Sequence, residues 1–187
     1  MTPLDRLLQR LRVRAALPHI PDGARLLDVG CADGHLLRVL DGRIRGGVGI
    51  DPDAVPAPGG ELGPRGAPSG SRIVRGTFPD DLDEAGPFDV ITMLAVFEHF
   101  SDADRPRVVD ACRRLLRPGG RVVMTVPAPA VDRIVDVLRA LRLAHGMDID
   151  SHHGYRPERT AEQFSGFRVV RHERFELGLN HLYVLER

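Results

Sequence analysis

The sequence predicts an α/β fold: a doubly wound, mostly parallel seven-stranded sheet that ends in an antiparallel strand pair. Three observations predict it. Short apolar runs alternate with stretches whose apolar residues recur at helical spacing, as repeated strand–helix units require. The run FDVITML at 88–94 is apolar almost throughout, which suits a strand in the middle of a parallel sheet. The last two strand-like runs, 167–175 and 181–185, are joined at Gly178 by a connection short enough for antiparallel pairing.

The bulk composition narrows the class further. A chain of 187 residues suits one domain, 1–187, with a full core. No apolar run approaches the ~18 residues of a membrane helix. Net charge is zero and all 26 basic residues are Arg, so broad electrostatic binding to nucleic acid or anionic membrane is not expected. Two cysteines, Cys31 and Cys112, cannot build a disulfide framework, which points to a reducing cytoplasm. Either a monomer or a homodimer is compatible with this composition.

Within residues 1–20, Leu4, Leu7, Leu8 and Leu11 form one stripe of a first helix, and Arg6, Arg10 and Arg14 a solvated face. Pro18 and Pro21 end it and lead into a strand at 25–29. The stretch LLDVGCADGHLLRVL at 26–40 then passes from strand to helix through a tight turn at Gly30 and Gly34. Helix N–H groups without partners point at that turn, making it a cofactor seat. Leu36, Leu37 and Leu40 carry the helix to Asp41. A second strand, GVGID at 47–51, ends in an acid. Residues 52–71 are dominated by Pro, Gly and Ala, a composition that disfavours a crossover helix and reads as a long loop.

A third strand is expected at 72–75, followed by Gly76, Thr77, Phe78 and an acidic loop. After the fourth strand, Ser101 or Asp102 can cap a helix with Pro106 in its first turn. Val108, Val109, Cys112, Leu115 and Leu116 are its buried stripe, with Cys112 read as packing. The segment Pro118-Gly119-Gly120 stops the helix before a fifth strand at 121–126. Val131, Ile134, Val135, Leu138 and Leu141 mark another amphipathic helix, and 160–164 a short one. Ligands of such sheets sit beyond the carboxyl ends of the strands. The turn at 30–34, Asp51, Thr77-Phe78 and 94–99 all follow strand ends and should converge on one rim.

The turn excludes two common cofactors. The run Gly30-Cys31-Ala32-Asp33-Gly34 fails the dinucleotide pattern G-x-G-x-x-G, and Asp33 would repel a pyrophosphate. A phosphate-binding loop of the G-x-x-x-x-G-K type is impossible without Lys. An acidic turn fits a cationic or zwitterionic ligand.

Four motifs in order, LLDVGCADG, GIDPD, FDVI followed by EH, and LRPGG-RVVMTVP, resemble the class I S-adenosylmethionine-dependent methyltransferases. The resemblance covers residues 20 to 127 best. It implies a Rossmann-like fold and S-adenosylmethionine as cofactor, with S-adenosylhomocysteine as product. Asp51 would take the ribose hydroxyls through charge-assisted hydrogen bonds. Backbone at Gly30, Cys31 and Gly34 would line the methionine end and ribose, and Asp28 would hold the turn and meet the ammonium through a water. Thr77 and Phe78 would contact adenine, and Ala32, Pro52 and Leu94 complete the cofactor set. The family often has an acid at the adenine position; here Asp80 and Asp81 come late.

His99 lies where a methyl acceptor should sit and could take its proton near neutral pH. Glu98 and, from the tail, His153 join it as the catalytic set. The competing reading is that Glu98 and His99 only organise the loop and the next helix. Small-RNA ribose methyltransferases have a similar Glu and His arrangement that holds a metal, but Ala95 stands here in place of their first Glu, and no metal is assigned. The related small-molecule enzymes build an acceptor lid from a segment like 128–165, with Tyr155 and Arg156 as candidates to grip the acceptor. The expected function is therefore methyl transfer to a small-molecule acceptor, at oxygen. The alternatives are a metal-assisted RNA methyltransferase and a non-catalytic adenosylmethionine-binding protein.

Overall fold

The computed structural model describes residues 3–54, 70–83, 85–128 and 155–187. Its sheet runs β3-β2-β1-β4-β5-β7-β6. The strands are β1 (Arg25–Val29), β2 (Gly46–Asp51), β3 (Arg72–Arg75), β4 (Phe88–Leu94), β5 (Leu116–Pro127), β6 (Arg168–Phe175) and β7 (Asn180–Glu186). The first five pair in parallel, while β7 pairs antiparallel with both β5 and β6. The predicted fold class is the observed one. The order reverses between β1 and β4, so the carboxyl ends of these two strands frame the ligand crevice.

Among the described residues four α-helices accompany the strands: α1 (Pro3–Ala16), α2 (His35–Val39), α3 (Arg105–Leu115) and α4 (Thr160–Gln163). Apolar layers cover both faces of the sheet. Leu27, Ile91, Met93 and Met124 pack with Phe97, Val108 and Phe164 on the α3 and α4 side. Leu26, Val90, Val123, Leu182 and Val184 pack with Val13, Ala16 and Leu37 on the α1 and α2 side. Adjacent strand residues therefore enter opposite layers, as the pleat demands. Each large apolar side chain buried in this way contributes roughly 1.5–3 kcal/mol.

Several boundaries differ from expectation, each for a visible reason. The predicted Leu stripe of α1 is not its buried face: Leu7 is 52% exposed, while Val13 and Ala16 are buried. The fully buried side chains of the helix come from its second half, while Leu8 and Leu11 are half-buried. Helix α3 starts at Arg105, because Ser101 Oγ accepts the Asp104 N–H (3.2 Å) and closes a separate turn first. Strand β5 begins at Leu116, expected as the last apolar position of the helix, and runs through the segment expected to be a stop. Leu116 pairs with Phe88, and the backbone of Gly119 and Gly120 pairs with that of Arg187. The final strands are trimmed or extended by a residue at their ends. The loop reading at 55–69, the helix at 131–141 and most of the proposed lid at 128–165 lie outside the described residues. In the described part at 155–165, Phe164 packs in the layer of Val108 and Cys112 of α3, and the Pro157 carbonyl accepts the Tyr183 hydroxyl of β7 (2.8 Å).

Candidate active site

The turn after β1 is built from backbone conformations that few residues adopt. Gly30 has φ 73°, Ala32 φ 48° and Gly34 φ 75°. A Cβ on Gly30 would lie 2.2 Å from Cγ2 of Val96, so the turn approaches the segment after β4 closely. The Gly30 N–H donates to the Ile50 carbonyl (2.8 Å), tying the turn to β2. Asp33 pairs with Arg38 of the following helix α2 (2.6 Å). Cys31 is a buried thiol whose pKa burial pushes up, so it is not a nucleophile at neutral pH.

Asp51 ends β2 and faces this turn. Its Oδ2 accepts the Ala32 N–H (2.9 Å) and its Oδ1 the Asp53 N–H (2.8 Å). Each oxygen keeps acceptor capacity for a further donor. Asp28, at the end of β1, is buried; its Oδ1 accepts from Thr92 Oγ1 (2.7 Å). Burial pushes its pKa up to about 7, the Thr92 hydrogen bond resists that, and the Asp51 charge adds to it.

Gly30 and Asp51 border a cavity of about 680 Å³. Gly30, Asp51 and Pro52 line one wall, Thr77 and Phe78 another, and Leu94 and His99 a third. The late acid Asp81 does not enter it. Its Oδ2 accepts the Thr77 N–H (2.7 Å), and Asp81 Cβ lies 2.4 Å from where a Cβ on Gly76 would be. A smaller recess opens toward α1, sharing Gly30 and Leu94 with the cavity and adding Asp28, Cys31, Gln9 and Arg12. Ala32 and Gly34 line neither hollow; they shape the turn, Ala32 through its bond to Asp51.

Glu98 and His99 are sequence neighbours with different surroundings. His99 is on the cavity wall, whereas Glu98 is buried and does not line it. Arg105 donates to the Glu98 carbonyl oxygen (3.4 Å) and lies over the Tyr155 ring at 4.6 Å. Tyr155 in turn shares a hydrogen bond with Thr160 (2.6 Å). This chain of contacts fastens the turn after β4 to residues 155–160. His153 lies outside the described residues. Among the described residues no group of three His, Cys, Asp or Glu side chains could hold a metal ion.

Arg12 and Gln9 of α1, and Val96 and Phe100 after β4, are lining residues that the sequence reading missed. Arg12 falls one position after Leu11 on α1, and an Arg placed among a helix's apolar residues is the signal that could have found it. Its Nε is buried without a hydrogen-bond partner.

The sequence matches the methyltransferase domain family over residues 3–170. The chain belongs to that family. Membership implies S-adenosylmethionine as cofactor. A ubiquinone biosynthesis O-methyltransferase of Acinetobacter baumannii (strain AYE) is 29% identical over 145 residues, covering 74% of this chain and 60% of that protein. The chain thus spans about 60% of the length of this methyltransferase relative. Among solved structures, an S-adenosylmethionine-dependent methyltransferase from Mesorhizobium loti has a TM-score of 0.67 at 18% identity, with 96% of this chain and 98% of that one covered. The N-methyltransferase NodS from Bradyrhizobium japonicum WM9 has a TM-score of 0.63 at 15% identity, with 100% and 97% covered. These two likenesses establish that the methyltransferase domain has the seven-stranded fold of such enzymes.

Proposed function

We propose that this protein is an S-adenosylmethionine-dependent methyltransferase acting on a small molecule, at oxygen, as a single domain over 1–187. The observation that carries the reading is Asp51, held at the end of β2 by the Ala32 N–H on one carboxylate oxygen and the Asp53 N–H on the other, beside a cavity of about 680 Å³. That arrangement fits a nucleoside whose ribose hydroxyls donate to Asp51. The O-methyltransferase named above supports oxygen as the target.

When bound, S-adenosylmethionine supplies a methyl group on a sulfonium and leaves as a neutral thioether. The protein's task is to position the partners and exclude water. Asp51 takes the ribose hydroxyls, Thr77 and Phe78 the adenine, and Pro52 and Leu94 close the walls. The backbone at Gly30, Cys31, Ala32 and Gly34 shapes the seat, with Asp28 behind it toward the methionine ammonium. His99, on the cavity wall, would take the proton from the acceptor hydroxyl that receives the methyl group. A base in this position is worth roughly 10²–10⁴-fold. Glu98 acts on His99 indirectly, by packing the turn that carries it. Cytoplasmic conditions would keep Cys31 and Cys112 as thiols, and no helix among the described residues is long and apolar enough to cross a membrane.

The test is isothermal titration with S-adenosylhomocysteine, followed by radiolabelled methyl transfer to a fractionated metabolite pool. The wild type should bind, and Asp51→Asn should weaken binding by about tenfold or more, since a charge-assisted bond contributes about 1.5–3 kcal/mol. Label should enter a small-molecule fraction as an alkali-stable ether. Absence of binding by the wild type would refute the cofactor assignment. Label found only in RNA or protein would refute the acceptor class.

A further inference from the structure

The peptide group that joins Glu98 to His99 is held at both ends. Its N–H, on His99, donates to the Val96 carbonyl (3.0 Å), and its carbonyl, on Glu98, accepts from the Arg105 guanidinium (3.4 Å). A peptide group is planar, so holding both ends fixes the plane from which the His99 side chain branches. The Phe100 N–H on the Phe97 carbonyl (3.3 Å) limits the rotation that remains. The bonds to Val96 and Phe97 are local to this turn, whereas Arg105 reaches back from the start of α3.

Stability alone does not call for an Arg at this place. Arg105 is 4% exposed, lies over the Tyr155 ring at 4.6 Å and stands 6.0 Å from that of Phe97. One terminal nitrogen pairs with the exposed Asp102, and its Nε is buried without a hydrogen-bond partner. Burying a guanidinium so is costly, and an apolar residue of similar size is often as stable or more so. What an apolar residue cannot supply is the donor to the Glu98 carbonyl. Tyr155, which covers the guanidinium, is fastened in turn. Its hydroxyl shares a hydrogen bond with the buried Thr160 (2.6 Å), and its ring meets Phe97 edge-on at 5.8 Å. Phe97 also meets Phe164 at 5.1 Å, so residues 155–164 and the turn that carries His99 share one aromatic contact.

Resting on the methyltransferase reading above, with His99 as base, we propose that Arg105 is a positioning residue for His99 and that Tyr155 holds Arg105 in the pose that does it. Neither touches the reacting atoms. With Tyr155 seated, the guanidinium stays on the Glu98 carbonyl. Without it, Arg105 swings toward Asp102 and water, the carbonyl loses its donor, and the His99 ring samples more directions. A misplacement of about 1 Å can cost on the order of 10²-fold in rate. Methyl transfer therefore depends on residues 155–164 being docked, while the cofactor seat, built on Asp51 and the turn at Gly30, does not.

The experiment uses the full chain with isotope-labelled histidine, its His99 ring signal assigned by its loss in His99→Gln. Titration with S-adenosylhomocysteine and radiolabelled transfer to the small-molecule fraction of the metabolite pool accompany it. Arg105→Met and Tyr155→Leu should each shift and broaden the His99 signal and slow transfer by about tenfold or more. Their affinity for S-adenosylhomocysteine should stay within about twofold of wild type. Arg105→Lys keeps the charge but not the planar fork and should fall between. Adding Arg105→Met to His99→Gln should slow transfer no further, because positioning acts only through His99. An unchanged His99 signal in Arg105→Met overturns the proposal. So do losses that multiply in the double variant, the outcome of a merely structural role. Should Arg105→Met fail to fold, Tyr155→Leu and Arg105→Lys decide by the same readouts. Failure of the wild type to bind S-adenosylhomocysteine, or undiminished transfer by His99→Gln, would instead strike the reading on which this one stands.

Discussion

Asp28 and Asp51 end neighbouring parallel strands, yet their environments differ. Asp51 has backbone donors and half-exposed surroundings, whereas Asp28 is buried with one hydroxyl partner. Its pKa of about 7 lies above the ordinary 3.8, so the stability linked to it is fully present below pH ~4 and is lost as pH rises through 7. Asp28→Asn keeps the acceptor for Thr92 and removes the buried charge. The free protein should therefore gain on the order of 2–4 kcal/mol at pH ~8, and little at pH ~4, in urea unfolding. The same variant should bind S-adenosylhomocysteine less tightly. Asp28, Asp51 and His99 were legible in the sequence because each ends or follows a strand at a known register. Arg12 was not, because it reaches the recess beside Asp28 only once the docking of α1 brings remote segments together.

At the level of elements, the turn at 30–34 and the strand pair β6–β7 each carry a prediction. In Gly30→Ala the new methyl group would meet Val96 Cγ2 at 2.2 Å, and φ 73° adds strain. Destabilisation of about 1–3 kcal/mol and loss of cofactor affinity are expected, with Val96→Ala restoring part of the stability in the double variant. Across β6 and β7, His172 Nε2 and His181 Nδ1 are 3.0 Å apart and can share one proton only. Burial lowers both pKa values, the Arg174 charge lowers both further, His172 itself acts on His181, and Glu158 opposes. For a base held below its ordinary 6.5, stability is present above that pH and is lost as pH falls through it. Melting followed from pH ~7.5 to ~5.5 should therefore show a decline that is smaller in His172→Gln. Strands β3 and β4 were readable to the residue, since an apolar run between turn formers has one register. The face of α1 was not. Its Leu spacing is helical, but which side is buried depends on docking through Val13 and Ala16, which periodicity alone does not encode.

On the scale of the whole molecule, the two ends of the sheet differ in how they are held. At the amino end Asp89 accepts the Arg25 N–H (2.7 Å) and pairs with Arg45 (3.0 Å) and Arg117 (2.5 Å). Against the upward push of burial, these partners hold its pKa below the usual range. The carboxyl end instead carries the left-handed residues Ala32, Ala95, Glu176 and Leu177 and the unpartnered polar atoms beside them. One end is clamped, and the other awaits ligands. S-adenosylhomocysteine at 100 times its Kd should then add about 2.7 kcal/mol, a rise of roughly 5–10 °C in Tm for a chain of this size. A shift under about 1 °C at saturation would contradict that division. The left-handed Leu177, wholly in water, has one more consequence: Asn or Gly adopts that backbone at lower cost, so Leu177→Gly should raise Tm while leaving the sheet and the cavity as they are.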